Sequence, residues 1–92
     1  MNENQLGYMK DFEFRAAADA AQPGQRICYG VGNLAAEAPG RVELLRLRYL
    51  TQFYCSTGKG FLTQRRRADI KDASGCASFQ YYFTKSGAAA DG

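Results

Sequence analysis

The sequence predicts a single small α+β domain built around one antiparallel sheet, and three observations carry that prediction. The chain has 92 residues, enough to enclose one core and too few for two. Hydrophobic residues make up 46% of it and aromatics 13%, more apolar surface than a disordered chain carries, so a folded state is expected. Segments of helical period alternate with segments of strand period, and glycine and proline divide them.

The first helix is expected to begin near Met9 and to stop before Gln22-Pro23-Gly24, where proline removes a donor and pushes its predecessor out of the helical region. Met9, Phe12, Ala16 and Ala20 recur at helical spacing and predict its buried stripe. Asp11 and Glu13 suit the positive end of the helix dipole. Residues 25–31 alternate as a half-buried strand, with Ile27, Tyr29 and Val31 on one face and Arg26, Cys28 and Gly30 on the other. Asn33 is a good N-cap for a short helical turn through Leu34 to Glu37, which Pro39-Gly40 ends.

A longer helix is predicted from Arg41 to Ser56, with Gly58 as its stop. Val42, Leu45, Tyr49 and Phe53 share one face, with Leu47, Leu50 and Tyr54 beside it; this broad apolar sector is expected to meet the core. Arg41, Arg48, Thr51, Gln52 and Cys55 fall in the remaining polar sector. Residues 60–67 and 76–85 are rich in Phe, Tyr, Thr and Leu and read as a β-hairpin whose exposed tip is the polar segment 68–75. Phe79, Tyr81 and Phe83 would face the core, and Ser78, Gln80 and Tyr82 the other side. The sequence therefore predicts a domain over residues 1–85 followed by a flexible tail, 86–92, of small residues. Helix, strand, short helix, long helix and hairpin follow in the order of a winged-helix domain, whose final hairpin is the wing.

Several kinds of chemistry are set aside by composition. The chain has no histidine, so the commonest general base, metal ligand and triad member is missing. Cys28, Cys55 and Cys76 are an odd, widely spaced set that offers neither paired zinc ligands nor a disulfide framework, and they are expected to be free thiols in a reducing compartment. Asp11, Glu13, Asp19 and Glu37 read as solvated surface charge rather than as a catalytic pair. Ser56-Thr57-Gly58-Lys59-Gly60 superficially resembles a phosphate loop, but a helix precedes it, a strand follows and glycine stands after the lysine, so it reads as a helix stop and turn. No apolar run is long enough to span a membrane, and Glu3 lies where a secretory leader would be basic, so a cytoplasmic protein without catalytic activity or cofactor is expected.

Charge gives the one positive indication of function. Residues 1–40 hold three basic and five acidic side chains, whereas residues 41–92 hold nine basic and four acidic ones. An uneven distribution of this kind favours a basic face and an anionic partner. The run Arg65-Arg66-Arg67 lies in a predicted strand, so Arg65 and Arg67 project to one side and Arg66 to the other. One reading makes this a phosphate-contacting wing, joined by Lys59 and Lys71, with Arg41, Arg48 and Gln52 of the long helix reaching the nucleic acid. The other is a solvated edge strand whose charges discourage aggregation. Phe79, Tyr81, Tyr82 and Phe83 suggest a stacking platform, but core packing accounts for three of them and leaves Tyr82 as the exposed one.

Tyr29-Gly30-Val31-Gly32-Asn33-Leu34-Ala35, Phe61-Leu62-Thr63-Gln64-Arg65-Arg66 and Phe79-Gln80-Tyr81 together resemble segments of small proteins encoded by phages and prophages. Those proteins share a Tyr-x-x-Gly-x-Leu-Ala segment, a Gln-Arg-Arg strand and a closing aromatic strand. The resemblance covers about residues 12–85, with a longer segment here between Arg67 and Cys76. It implies a winged-helix-like fold and a phage context without an assigned activity. Two functions follow as expectations: a small module that binds nucleic acid, duplex DNA first, or a protein-interaction inhibitor of a host complex, such as an anti-CRISPR or other anti-defence factor. Either would act as a monomer or a homodimer.

Overall fold

The computed structural model describes residues 2–87. Strand β1 (Gly7–Tyr8) is followed by α1 (Asp11–Ala20), β2 (Arg26–Gly32), α2 (Leu34–Glu37), α3 (Val42–Ser56), β3 (Gly60–Lys71) and β4 (Ala77–Lys85). The strands form one antiparallel sheet in the order β1-β2-β4-β3. The helices α1 and α3 pack on one face of it. The small α+β architecture is as the sequence predicts, and of the expected tail, residues 88–92 lie outside the described residues.

Local chemistry explains where the helices start and stop. Glu13 reaches back to accept the Lys10 N–H at 2.8 Å, which satisfies a donor that the helix itself leaves open. Asn33 accepts the Ala36 N–H at 3.2 Å and caps α2, as predicted. At the end of α3, Gly58 takes φ of 79°, Lys59 N–H returns to the Tyr54 carbonyl and Gly58 N–H to that of Cys55, closing the orphan carbonyls. Gly60 follows because a Cβ there would collide with the Phe83 ring and the Thr84 carbonyl, so only glycine lets β3 start so close to β4.

The core forms between helices and sheet. Phe14 is fully buried and makes edge-to-face contacts with Tyr29, Tyr54 and Phe83 at centroid distances of 5.6, 5.5 and 5.3 Å. Each such pair adds about 0.5–1.5 kcal/mol beyond its area burial. Phe83 pairs with Ile27 on one side and Leu62 on the other, so all three point to the same layer.

Four orientations differ from the sequence prediction. On α1 the buried stripe is Phe14 and Ala18, with Phe12 exposed. The helix is so rich in alanine that two stripes have helical spacing, and the one carrying Phe14 reaches the aromatic cluster. On α3 the buried residues are Leu44, Leu47, Thr51 and Tyr54, not Val42, Tyr49 and Phe53. Apolar residues lie nearly all the way round this helix, and a polar residue is accepted in the core because the Thr51 hydroxyl donates to the Arg48 carbonyl of its own helix at 2.9 Å. In β2 a bulge between Cys28 and Gly30 reverses the alternation, so Val31 pairs with Gln80 and faces away from the helices.

The fourth concerns Tyr82, which is buried rather than exposed. Residues 2–6 cross the open face of the sheet, where the Gln80 side chain donates to the Glu3 carbonyl at 2.7 Å and the Tyr82 hydroxyl lies 2.9 Å from the Glu3 carboxylate. Arg26 stacks over the Tyr82 ring at 4.2 Å. The polar segment expected as the hairpin tip is also partly strand: β3 continues to Lys71 through a register shift after Arg67. The actual tip is tightened by Asp72, whose carboxylate accepts from the N–H groups of Ser74 and Cys76.

Candidate functional site

Strand register decides where the arginine run points. Arg65 pairs with Gln80 and Arg67 with Ser78, so both lie on the sheet face away from the helices. Arg66 pairs with Phe79 on the helix side. Arg67 is occupied: its Nε and Nη2 hold the Asp69 carboxylate at 2.8 and 2.6 Å, and its Nη1 donates to Asn4. That clamp pulls the Asp69 carboxyl down to about 2. Arg41, at the start of α3, lies 3.0 Å from Glu43 and 3.6 Å from Glu37, so its charge is met twice.

The other expected contacts also separate. Arg48 and Gln52 turn toward the sheet and line an open cavity of about 640 Å³ together with Gln64, Phe79 and Tyr81. Lys59 lies on another side of α3, 5.8 Å over the Tyr54 ring. Lys71 stands opposite Ala77 near the hairpin tip. Arg48, Gln52 and Arg66 thus share the helix side of the sheet, whereas Arg65 and Arg67 occupy its reverse. The eight side chains do not make one cationic surface.

Three of the carboxylates expected as solvated charge have structural partners instead, and two of them fasten elements together. Glu37 accepts from the Tyr8 hydroxyl at 2.6 Å and from the Asn33 N–H at 2.9 Å, joining β1 to α2. Burial and this carboxylate together push the Tyr8 phenol far above its ordinary range. Asp19 accepts from the Tyr54 hydroxyl at 2.6 Å and ties α1 to α3. Glu13 closes the start of α1, as described above. Among the described residues, no group of three Cys, Asp or Glu side chains comes together to hold a metal ion. Cys28 is half-buried, Cys55 and Cys76 are exposed, and all three are free thiols.

A surface that the apolar pattern of α3 assigns to the core is instead exposed. Val42, Tyr49 and Phe53 are 59, 69 and 55% exposed. Their spacing of seven and four residues places them along one outward stripe about 16 Å long. Beside it runs a shallow groove of about 700 Å³ between α1 and α3, where Arg15, Arg46 and Lys59 stand with Tyr49 and Phe53, and Asp11 is the one acid. One signal for this surface lies in the sequence: a helix apolar around most of its circumference, packed on one side, must leave large side chains in water. Comparison with protein families, curated proteins and solved structures finds no match for this chain.

Proposed function

We propose that this protein is a non-enzymatic binding module that engages another protein through the outward face of α3. The stripe of Val42, Tyr49 and Phe53 carries this reading, because an exposed row of large apolar side chains on a regular helix is what a protein interface uses for its anchors. The neighbouring cations Arg15, Arg46 and Lys59 favour a partner with an acidic rim, such as an amphipathic helix whose apolar side meets the stripe. Self-association is less suited to the same surface. Two copies joined antiparallel through α3 would bring Arg46, near the middle of the stripe, toward its own symmetry mate.

The element order and the central place of β4 between β2 and β3 support a winged-helix-like fold. In that fold the outward side of the long helix would meet DNA, and here that side is dominated by Val42, Tyr49 and Phe53, with Arg46 among them able to pair with a base edge. The duplex-DNA reading therefore stands second, supported by the common side of Arg48, Gln52 and Arg66. Two cations there give a salt slope of only about −2, against about −5 to −9 for a protein with 6–10 phosphate contacts. The resemblance to phage and prophage proteins favours a host complex as the protein partner, with the module as its inhibitor.

The test combines capture with a gel shift. The immobilised chain, treated with nuclease, is expected to retain a stoichiometric protein from host lysate, and Tyr49→Ala/Phe53→Ala to release it without loss of stability. Capture that survives the double substitution, or tight low-salt binding to mixed duplex DNA that Arg48→Gln abolishes, would overturn the proposal.

A further inference from the structure

A second site is suggested on a different flank of α3, in the cavity between that helix and the β3–β4 hairpin. Arg48 is half-buried there, and none of the ion pairs among the described residues involves it. A guanidinium partly withdrawn from water is normally paired, because its charge loses solvation. Tyr81 lines the same space, and its phenol lies within reach of two opposite charges, the Glu37 carboxylate outside the cavity and the Arg48 guanidinium within it. The Tyr81 oxygen accepts the Leu34 N–H at 2.9 Å, and no described group accepts the proton of its hydroxyl. Two side chains that can donate, one of them charged, therefore line one cavity, and no acidic side chain lines it.

The rest of the lining specifies a shape. Phe79, half-buried in β4, offers the edge or face of an aromatic ring. Gln52 and Gln64, exposed at the mouth, supply amides that can bond in either sense. Arg66, paired with Phe79 on the same side of the sheet, adds a second cation beside this lining. The volume of about 640 Å³ falls within the range of about 300–1,000 Å³ of small-molecule sites.

We propose that this cavity binds a small aromatic molecule carrying a single anionic group, phosphate or carboxylate, with the anion on Arg48 and Tyr81 and the ring against Phe79. This does not rest on the protein-docking stripe, whose residues lie elsewhere on α3.

NMR titration of the full chain tests the proposal with three probes: phenyl phosphate, benzoate and neutral benzyl alcohol. At least one anion is expected to saturate with a dissociation constant of about 1 mM or tighter, shifting the side-chain amides of Gln52 and Gln64. Benzyl alcohol should bind at least about tenfold more weakly, since it lacks the charge-assisted hydrogen bonds. The tighter of the two anions identifies the charged group. Arg48→Gln should bring the anion down to the affinity of the alcohol. Gln64→Glu, an exposed change that leaves the core untouched, should weaken the anions by a similar factor and spare the alcohol. Equal affinity for all three probes, no saturable shift, or shifts that centre on Arg65 and Arg67 across the sheet would overturn the assignment.

Discussion

Phe14 and Phe12 stand two residues apart on one helix and do opposite things. Phe14 joins three other rings at the centre of the molecule, whereas Phe12 lies in water with Lys10 over its ring at 5.9 Å. Phe14→Ala should therefore cost about 3–5 kcal/mol in denaturant unfolding. Phe12→Ala should stay within about 0.5 kcal/mol, and a large loss there would mean that α1 is rotated about its axis. Periodicity could not separate the two, because alanines repeat on both sides of α1 and are equally acceptable buried or exposed. Arg67 and Asp69 make a sharper electrostatic prediction. Because Arg67 lowers the Asp69 carboxyl in the folded state, its contribution is complete above the ordinary aspartate range and is lost as pH falls toward about 2. The Asp69 side-chain carbon should titrate near that value by NMR and return to the ordinary range in Arg67→Gln. A midpoint near 4 in the unaltered protein would show that the clamp does not form in solution.

At the scale of elements, the two longer helices and the three longer strands were legible, as were the two faces of β4, whereas the buried faces of α1 and α3 and the end of β2 were not. Boundaries were marked by chemistry that acts locally: Asn33 as a cap, Gly58 as a stop, Pro23 after α1. Faces depend on what lies opposite, and α3 carries too many apolar residues for its own pattern to choose. The bulge at Tyr29, which sends Val31 to the reverse of the sheet, leaves no trace in an alternating sequence. Strand β1 escaped for another reason: two residues have no measurable period, and Tyr8 is held by Glu37, which lies 29 positions away. The orientation of α3 is checked by comparing Leu47→Ala with Tyr49→Ala/Phe53→Ala. The first removes a fully buried side chain and should cost about 2–5 kcal/mol. The second trims two exposed rings and should leave the melting temperature nearly unchanged, the reverse of what the apolar pattern alone predicts.

For the molecule as a whole, the uneven charge along the chain does not become a single basic face. Antiparallel pairing sends Arg65 and Arg67 to one side of the sheet and Arg66 to the other, and Glu37, Glu43 and Asp69 meet Arg41 and Arg67. Alternation within the arginine run was readable from the strand period, but the carboxylate partners required tertiary structure. Among the described residues, large apolar side chains are exposed at Leu6, Phe12 and Phe61 singly, but on α3 Val42, Tyr49 and Phe53 form a row, with Arg15, Arg46 and Lys59 alongside. The most direct measurement replaces Tyr49 with a photo-reactive phenylalanine and, in separate samples, does the same at Phe61 and Arg66, followed by irradiation in host lysate and nuclease digestion. A discrete protein adduct from position 49, absent from 61 and 66, is the expected result. A nucleic-acid adduct at 66, with no protein adduct at 49, would contradict the proposed role of the α3 face.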